Sequence, residues 1–328
     1  MAVTLTPESI DASTLCQLEQ HVEQLLVCRN VRGMAQLRLA LQPGYLKRAA
    51  ALLYQPGQRL LLTTGFPVGD TFESDGPLGA ILIAQMLQRC KVQFDWVCGP
   101  PLSEVLPLVL QTLSLQLQQA PSDSQDESQN PHAGNLGRVL RLPLGEVEPA
   151  ELIPLLSGCY AAALSIERPG RASDGRYYNM RREDISQRIA DVDTLWQQLG
   201  CPTVAVGDGG NEIGMGNIYD QVQRLDIEPA ATGCDELVLA DVSNWAAYGL
   251  AFYWSLWSGQ DLFRLLTPEF VLQLLLQYGC VDGVTRRPDL SEDGFALSEG
   301  LALCQQIYQC YQHAMRLQHA DECQQNEH

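Results

Sequence analysis

Short apolar segments alternate with helical segments along most of the chain, and this alternation constrains the fold more than any other feature. Each segment is seven to nine residues long, is rich in apolar residues, and ends at or just before glycine, proline or a polar residue, as buried strands do. The six segments are RLLLTTG (59–65), VQFDWVC (92–98), GRVLRLP (137–143), CYAAALSIE (159–167), PTVAVGD (202–208) and ELVLADVS (236–243). Strands that alternate with helices predict an α/β fold with a mostly parallel sheet and helices on both faces.

The remaining segments fit a Rossmann-like three-layer arrangement in a single domain over residues 1–328. Residues 11–54 have apolar positions at helical spacing and predict an N-terminal helical segment with a break at Pro43-Gly44. Residues 120–135 are polar and predict a disordered surface insertion. We expect a single helix in REDISQRIADVDTLWQQLG (182–200), and a last helix that ends near Gln318, followed by a frayed tail at 319–328.

The net charge of −18 argues against binding to nucleic acid or to an anionic membrane, because both are polyanions. The 11 cysteines form no CxxC pair, which indicates reduced thiols and a cytoplasmic protein. The first residues lack the basic and apolar regions of a secretory signal. A homo-oligomer is compatible with these features, and the sequence does not specify one.

Four polar, glycine-rich loops each follow a predicted strand. Loops that follow parallel strands emerge at the same edge of the sheet, where ligand crevices form. We therefore expect these four loops to meet at one site, although they are far apart in sequence. They are TTGFPVGDTFESDGPLGA (63–80), IERPGRASDGRYYNMR (166–181), GDGGNEIGMGN (207–217) and VSNWAAYGLA (242–251).

The third loop combines five glycines with Asp208, Glu212 and Asn211. It does not match the dinucleotide-binding fingerprint, because Glu212 stands where a third glycine is required, and it lacks the Lys-Ser or Lys-Thr pair of a P-loop. The N–H groups of Gly209 and Gly210 could instead hold a carboxylate or an oxyanion. Alternatively, Asp208 or Glu212 could bind Mg²⁺ or Mn²⁺, or the glycines could simply allow a tight turn. The sequence itself requires no cofactor.

The second loop has arginines beside an acid, directly after a predicted strand. Arg168 and Arg171 follow Glu167, and Tyr177 comes later in the same loop. Guanidinium groups bind carboxylates through two hydrogen bonds, so this loop is a candidate clamp for an acidic substrate. The alternative is a solvated basic surface that pairs with acidic neighbours.

The first and fourth loops contribute polar residues next to predicted helices. Thr64 and Asp75 belong to the first loop, and Asp75 could cap the helix that begins at Pro77. Ser243 and Asn244 precede an apolar helix, which they could cap, or whose N-terminus could hold an anion. None of the five histidines lies in the four loops. This argues against a Ser-His-Asp or His-rich zinc site and leaves proton transfer to carboxylates.

Together these stretches resemble the D-glutamate cyclase family, in particular the cyclase domain that forms the C-terminal part of longer mitochondrial proteins and stands alone in bacteria. The matching pieces occur in the family's order: RGMAQL (32–37), LLTTGFPV with SDGPLGA, IERPGRASDGRYYN, VGDGGNEIGMGN, CDELVLADVSNWAAYGLA and VDGV (281–284). The resemblance implies a lyase that converts D-glutamate, a small dicarboxylate, into 5-oxo-D-proline with loss of water.

This reaction suggests roles for the candidate residues. Our hypothesis is that arginines grip the α-carboxylate, loop N–H groups hold the γ-oxyanion, and two carboxylates act as base and as acid or metal ligand. The residues are, in that order, Arg168 and Arg171, Gly209 and Gly210, Asp208 or Glu167, and Glu212 or Asp75. A shared family does not fix the substrate. A metal-assisted hydrolase or lyase for another small carboxylate or lactam, and a non-catalytic sensor of an acidic metabolite, remain alternatives.

Overall fold

The computed structural model describes residues 12–119, 136–146 and 159–325. Its main sheet has six strands, each within one of the six predicted segments, and every neighbouring pair is parallel. The prediction of an α/β fold with a parallel sheet is therefore confirmed. The strands are β1 Arg59–Thr64, β2 Gln93–Cys98, β3 Arg138–Arg141, β4 Ala162–Ile166, β5 Thr203–Gly207 and β6 Glu236–Leu239.

The strand order in the sheet is β3-β2-β1-β4-β5-β6. After β1 the chain adds β2 and β3 on one side of it. The chain then crosses back and adds β4, β5 and β6 on the other side, so the direction of strand addition reverses between β1 and β4. In open parallel sheets, ligands bind at this switch point, beyond the carboxyl ends of the strands. The register pairs Thr64 with Ile166, which places the loops after β1 and β4 side by side there.

Helices cover both faces of the sheet, but unequally. In chain order they are α1 Ala12–Leu25, α2 Met34–Leu37, α3 Tyr45–Leu53, α4 Pro77–Arg89, α5 Leu102–Gln119, α6 Val192–Trp196, α7 Tyr219–Val222, α8 Ala246–Ser258, α9 Pro268–Gln277 and α10 Leu297–Gln325. Leu60 and Leu62 pack in one large core with the longer helices. Leu61 lies on the opposite face with α6, and Ala205 lies on that face with α2 and α7. Side chains alternate between the faces because the strand period is two.

The helix predicted over residues 182–200 is wrong as a single element. Only Ser186–Arg188, a 3₁₀ turn, and α6 are helical there. The backbone between them pairs with Gly145, whose N–H donates to Ile189 O at 2.7 Å. Asp191 then caps α6 by accepting a hydrogen bond from Thr194 N. Tertiary pairing and a new cap therefore interrupt the helical pattern.

The C-terminal helix is longer than predicted, because α10 continues to Gln325 rather than ending near Gln318. The predicted insertion at 120–135 and the last three residues of the tail lie outside the described residues. In the part of the chain that the structure describes, no helix has both the length and the apolar character needed to cross a membrane.

Candidate active site

Three of the predicted loops bring a carboxyl group each to the switch point, and the fourth loop joins them. Carboxylate oxygens of Asp75, Glu167 and Asp208, here called the acidic cluster, lie within 4.8 Å of one another and are buried. Ser243 Oγ donates to Glu167 Oε2 at 2.6 Å, and Ser243 N donates to Asp75 Oδ2 and Asp208 Oδ2 at 2.9 and 3.2 Å. The structure therefore brings together residues that are up to 168 positions apart in sequence.

Asp75 and Asn244 cap each other's helices. Asp75 Oδ1 accepts from Asn244 N at 2.7 Å, at the N-terminal end of the segment that leads into α8. Asn244 Oδ1 accepts from Gly76 N and Gly79 N, at 2.9 and 2.6 Å, at the N-terminus of α4. The prediction that Asp75 caps α4 is therefore wrong: Gly76 holds the N-cap position, and Asn244 satisfies the N–H groups. This reciprocal capping fixes the position of the Asp75 carboxyl group.

The cation closest to the acidic cluster is Arg32, which the sequence analysis did not select. Arg32 Nη1 donates to Asp208 Oδ1 at 2.5 Å, and its other terminal nitrogen pairs with Asp293. Burial lowers the pKa of Arg32, but the nearby carboxylates raise it above the ordinary value, so the guanidinium remains charged. The available signal was RGMAQL (32–37), one of the segments that carries the family resemblance.

Several buried carboxyl groups compete for this single guanidinium. Burial first, and the charge of Asp208 second, raise the pKa values of Glu73, Asp75 and Glu167 well above their ordinary values. The same two causes raise the pKa of Glu212 to about 7. Burial and neighbouring like charge favour the protonated form of such groups, and general acid–base catalysis uses a protonated carboxyl group beside an ionised one.

The glycine-rich loop after β5 already encloses an acid of its own. Gly209 N and Gly210 N donate to Glu212 Oε1 and Oε2 at 2.9 and 2.7 Å. A Cβ atom on Gly209 would lie 2.7 Å from Glu212 Oε1, so the loop needs glycine there to admit the carboxylate. These N–H groups were predicted to hold an oxyanion of the substrate. In this structure Glu212 occupies them, which disfavours that role.

The predicted arginine clamp points away from the acidic cluster. Arg168 donates to Gly65 O and Ala190 O at 2.9 and 2.6 Å. Arg171 pairs with Asp191 at 2.6 Å, and Tyr177 Oη donates to the same aspartate at 3.0 Å. None of the three side chains lines the cavity described next. They connect the loops that form its walls, and this geometry disfavours them as direct substrate ligands.

A cavity of about 640 Å³ opens above the acidic cluster. Its lining residues fall into two groups that differ in burial and charge. The buried lining residues are mostly acids or amides, and the exposed ones include three arginines and two acids, Glu183 and Asp184. The buried group contains Glu73, Glu167, Asp208, Asn211 and Glu212, and the exposed arginines are Arg181, Arg188 and Arg286.

The predicted residues that do not line this cavity lie behind it. Asp75, Ser243 and Asn244 are buried in the hydrogen-bond network below the lining residues. Thr64 is also buried, and its Oγ1 has no hydrogen-bond partner among the described residues. A smaller cavity of about 280 Å³ lies around Asp95 at the opposite edge of the sheet and contains none of the predicted site residues.

The acidic cluster has the donor set of a site for a hard divalent cation. Each of its three residues offers one carboxylate oxygen, and Mg²⁺ and Mn²⁺ prefer oxygen ligands of this kind. The sequence predicted Asp208 and Glu212 as metal ligands. Asp208 belongs to the acidic cluster, as do Asp75 and Glu167. Glu212 does not, because the glycine loop holds its carboxylate.

The fold and this crevice define an α/β protein with a cluster of buried carboxyl groups at the switch point of a parallel sheet. The family model for D-glutamate cyclase-like proteins, C-terminal, matches residues 22–308, and the chain belongs to this family. It is 31% identical over 223 residues to a human protein, D-glutamate cyclase, mitochondrial. This match covers 62% of the chain but 33% of the human protein, so the chain spans about a third of that relative's length.

Proposed function

We propose that this protein is an enzyme that converts D-glutamate into 5-oxo-D-proline with loss of water and without ATP. The family and the human relative support this reaction. The observation that carries the proposal is the distribution of charged groups in the cavity. Carboxyl groups and Arg32 lie at its buried end, and three arginines lie at its exposed end beside two acids, Glu183 and Asp184. Glutamate has one ammonium and two carboxylate groups, so its charges complement this arrangement.

The ammonium group of the substrate would lie at the buried end of the cavity. Glu167 and Asp208 offer carboxylate oxygens there. Asn211 offers a further acceptor, because its Oδ1 is buried without a partner while its Nδ2 donates to Tyr178 O at 2.8 Å. A buried acceptor without a donor is costly, and an ammonium group would satisfy it.

The α-carboxylate of the substrate would bind toward the exposed end, which leaves the γ-carboxyl group free to meet the amine. The guanidinium groups of Arg181 and Arg286 line the cavity and have no hydrogen-bond or ion-pair partner among the described residues. Arg188 is partly engaged, because it donates to Gly69 O at 2.6 Å. Arg181 and Arg286 are thus available for charge-assisted hydrogen bonds to carboxylate, whereas Arg168 and Arg171 have protein partners.

The chemistry requires a base, a nearby electrophile and an acid. Asp208, paired with Arg32, or Glu167 accepts a proton from the ammonium group, and the freed amine attacks the γ-carboxyl carbon. A protonated carboxyl group of the site then helps oxygen to leave as water. Holding both reacting groups of one molecule in line is worth an effective molarity of roughly 10⁵–10⁸ M, so activation by ATP is not required.

A second candidate function follows from the metal-capable geometry of the acidic cluster. A divalent cation held by Asp75, Glu167 and Asp208 would polarise a carbonyl group or activate water. The protein would then be a metal-assisted hydrolase or lyase for a small carboxylate or lactam. The two functions differ in whether a chelator abolishes turnover.

The test is to incubate the full chain separately with D-glutamate, L-glutamate and 5-oxo-D-proline and to quantify reactants and products by chiral chromatography. Each reaction is run with EDTA, with Mn²⁺ and with Mg²⁺. We expect 5-oxo-D-proline from D-glutamate with EDTA present. Turnover of the lactam only, and only with metal, would support the second candidate instead. Ligand-dependent thermal stabilisation without any turnover would indicate a sensor.

Two aspartate variants link the activity to the site. Asp208→Asn should lower kcat by about 10²–10⁴-fold, as expected when a proton-transfer group is removed. Asp226→Asn is the matched control, because the Asp226 side chain is 98% exposed and, among the described residues, pairs with Arg182 at the surface. Circular dichroism confirms that both variants fold. Near-normal turnover by Asp208→Asn would remove Asp208 from the mechanism.

A further inference from the structure

Positive charge at the buried end of the cavity comes from one side chain. Among the described residues that line the cavity, four are arginines and none is a lysine. Three of these arginines are exposed, whereas the Arg32 side chain is 17% exposed and lies beside Asp208. The N–H groups of Gly209 and Gly210 are occupied by Glu212. An anionic group that reaches this end therefore meets Arg32 as its cation.

A hydrogen-bonded turn before α2 presents Arg32 to the cavity. Asp241, which follows β6, accepts hydrogen bonds from the N–H groups of residues 29 and 30 at 2.6 and 3.0 Å. Asn30 and Gly33 have positive φ values of 54° and 79°, a conformation that asparagine and glycine adopt more easily than other residues. Asn30 Oδ1 also accepts from an N–H group of α2 at 3.0 Å. These bonds fix the turn at the carboxyl edge of the sheet.

Two acids from different segments orient the guanidinium group of Arg32. Its Nη1 donates to Asp208 Oδ1 at 2.5 Å, and its Nη2 pairs with Asp293. A guanidinium group has five N–H donors. The Nε–H and the second N–H of Nη2 have no partner among the described residues. Two oriented donors therefore remain available to an anionic group in the cavity that Arg32 lines.

We propose that Arg32 binds the γ-carboxyl group of the substrate and stabilises the negative charge that its oxygens carry in the tetrahedral intermediate. This inference rests on the proposed function. Arg32 contacts Asp208, a candidate base for the ammonium group, so an amine held by Asp208 lies next to the guanidinium group. The γ-carbon has to reach that amine for the ring to close. Its oxygens are thereby brought to Arg32.

Arg32 contributes charge to this step and transfers no proton. The base takes one proton from the ammonium group, nitrogen bonds to the γ-carbon, and a carbon–oxygen electron pair moves onto oxygen. Both γ-oxygens are then anionic, and a guanidinium group binds such oxygens through charge-assisted hydrogen bonds. The two protons that nitrogen loses reach one oxygen through the carboxyl groups of the site. The C–O bond breaks, water leaves, and the other oxygen becomes the lactam carbonyl.

The acids of the cavity make this cation decisive for the choice of substrate. Carboxyl groups of Glu167 and Asp208 line the buried end and attract the ammonium group, but they repel a second carboxylate when they are ionised. Arg32 offsets this repulsion where the γ-carboxylate has to bind. We therefore expect the site to prefer D-glutamate over D-glutamine, which has the same chain and an uncharged γ-amide, and we expect this preference to depend on Arg32.

The first test separates a role in the reaction from neutralisation of Asp208. Arg32→Lys keeps the positive charge but loses the planar fork of donors. In the presence of EDTA, we expect kcat for D-glutamate to fall by about 10²–10³-fold, as when an oxyanion donor is removed. Arg29→Lys is the matched control, because the Arg29 side chain is 42% exposed and pairs with Glu299 at the surface. Wild-type kcat in Arg32→Lys would overturn the proposal.

The second test measures the preference between two ligands. Arg32→Gln keeps an N–H donor but removes the charge, and KM for D-glutamate is compared with the inhibition constant of D-glutamine in the wild type and the variant. We expect the preference for D-glutamate to fall by at least about tenfold, because a charge-assisted hydrogen bond is lost. Partial unfolding lowers binding of both ligands equally and leaves their ratio unchanged. An unchanged ratio would overturn the proposal.

Failure of the proposed function has a different result. In that case the wild type would form no 5-oxo-D-proline from D-glutamate. Calorimetric titration of the wild type and Arg32→Gln with D-glutamate and with D-glutamine then measures the same preference without turnover. A preference for D-glutamate that the variant loses would support Arg32 as the ligand of the γ-carboxylate. Equal preference in both proteins would overturn that role.

Discussion

Glu292 supports the site from below, and replacing it with glutamine should change how stability depends on pH. Its carboxylate is fully buried and accepts hydrogen bonds from Trp245 Nε1 at 3.0 Å and Asn244 Nδ2 at 3.1 Å. These bonds fix the orientation of the Asn244 amide, whose Oδ1 caps α4. Glutamine has the same shape, but it cannot titrate and offers only one acceptor atom.

The expected magnitude follows from the pKa of this group. Burial raises the pKa of Glu292 from its ordinary value of 4.5 to about 7. At roughly 1.4 kcal/mol per pKa unit, this shift corresponds to about 3 kcal/mol. The folded state binds the proton more tightly than the unfolded chain. Between pH 4.5 and about 7, the unfolded chain has therefore released a proton that the folded protein keeps, and the free energy of unfolding falls as pH rises.

The assay is urea unfolding of the wild type and Glu292→Gln at a series of pH values across this window. The variant should be less stable by about 1–3 kcal/mol at low pH, because one buried donor loses its acceptor. Toward neutral pH the wild type should lose about 3 kcal/mol of stability that the variant keeps, because only the wild type must ionise or keep a buried proton. The difference between the two proteins should therefore vanish or reverse its sign. Glu299→Gln removes a half-exposed carboxylate, paired with Arg29 at the surface, from the first turn of α10 and serves as the control.

The refuting result is a gap between wild type and Glu292→Gln that stays constant within about 0.5 kcal/mol, the size of ordinary surface effects. A constant gap would mean that Glu292 ionises equally well in the folded and unfolded states. The reasoning from burial to stability would then be wrong for this carboxyl group.

Three further predictions concern the charges and caps of the site. Arg32→Met leaves Asp208 buried without its cation and should lower the free energy of unfolding by about 3–5 kcal/mol in urea; an unchanged value would show that the ion pair does not matter for folding. Arg286→Gln should raise KM for D-glutamate by about 10–100-fold with a smaller effect on kcat in steady-state assays, and an unchanged KM would contradict its binding role. Asn244→Ala uncaps α4 and should cost about 1–2 kcal/mol in thermal or urea unfolding, unless another group replaces the cap.

The sequence alone determined the sheet and the place of the site. Strands were recognisable because each is a short apolar run ended by a turn residue, a signal that is local. Parallel strands share one carboxyl edge, so the loops after them had to converge, and Asp75, Glu167 and Asp208 do lie together. The type of proton-transfer group could also be predicted, because the four loops contain carboxyl groups and no histidine.

The tertiary structure decided which side chains face the cavity and which pair with one another. Arg32 meets Asp208 across 176 positions of sequence, and Asn244 caps a helix that begins far earlier in the chain. No local pattern encodes such contacts, because they depend on how separate elements pack. The direction of a side chain is equally hidden: Arg168 follows its strand as predicted, but its guanidinium binds backbone carbonyls outside the cavity. Local sequence sets the elements, whereas packing between distant elements sets the partners of each charged group.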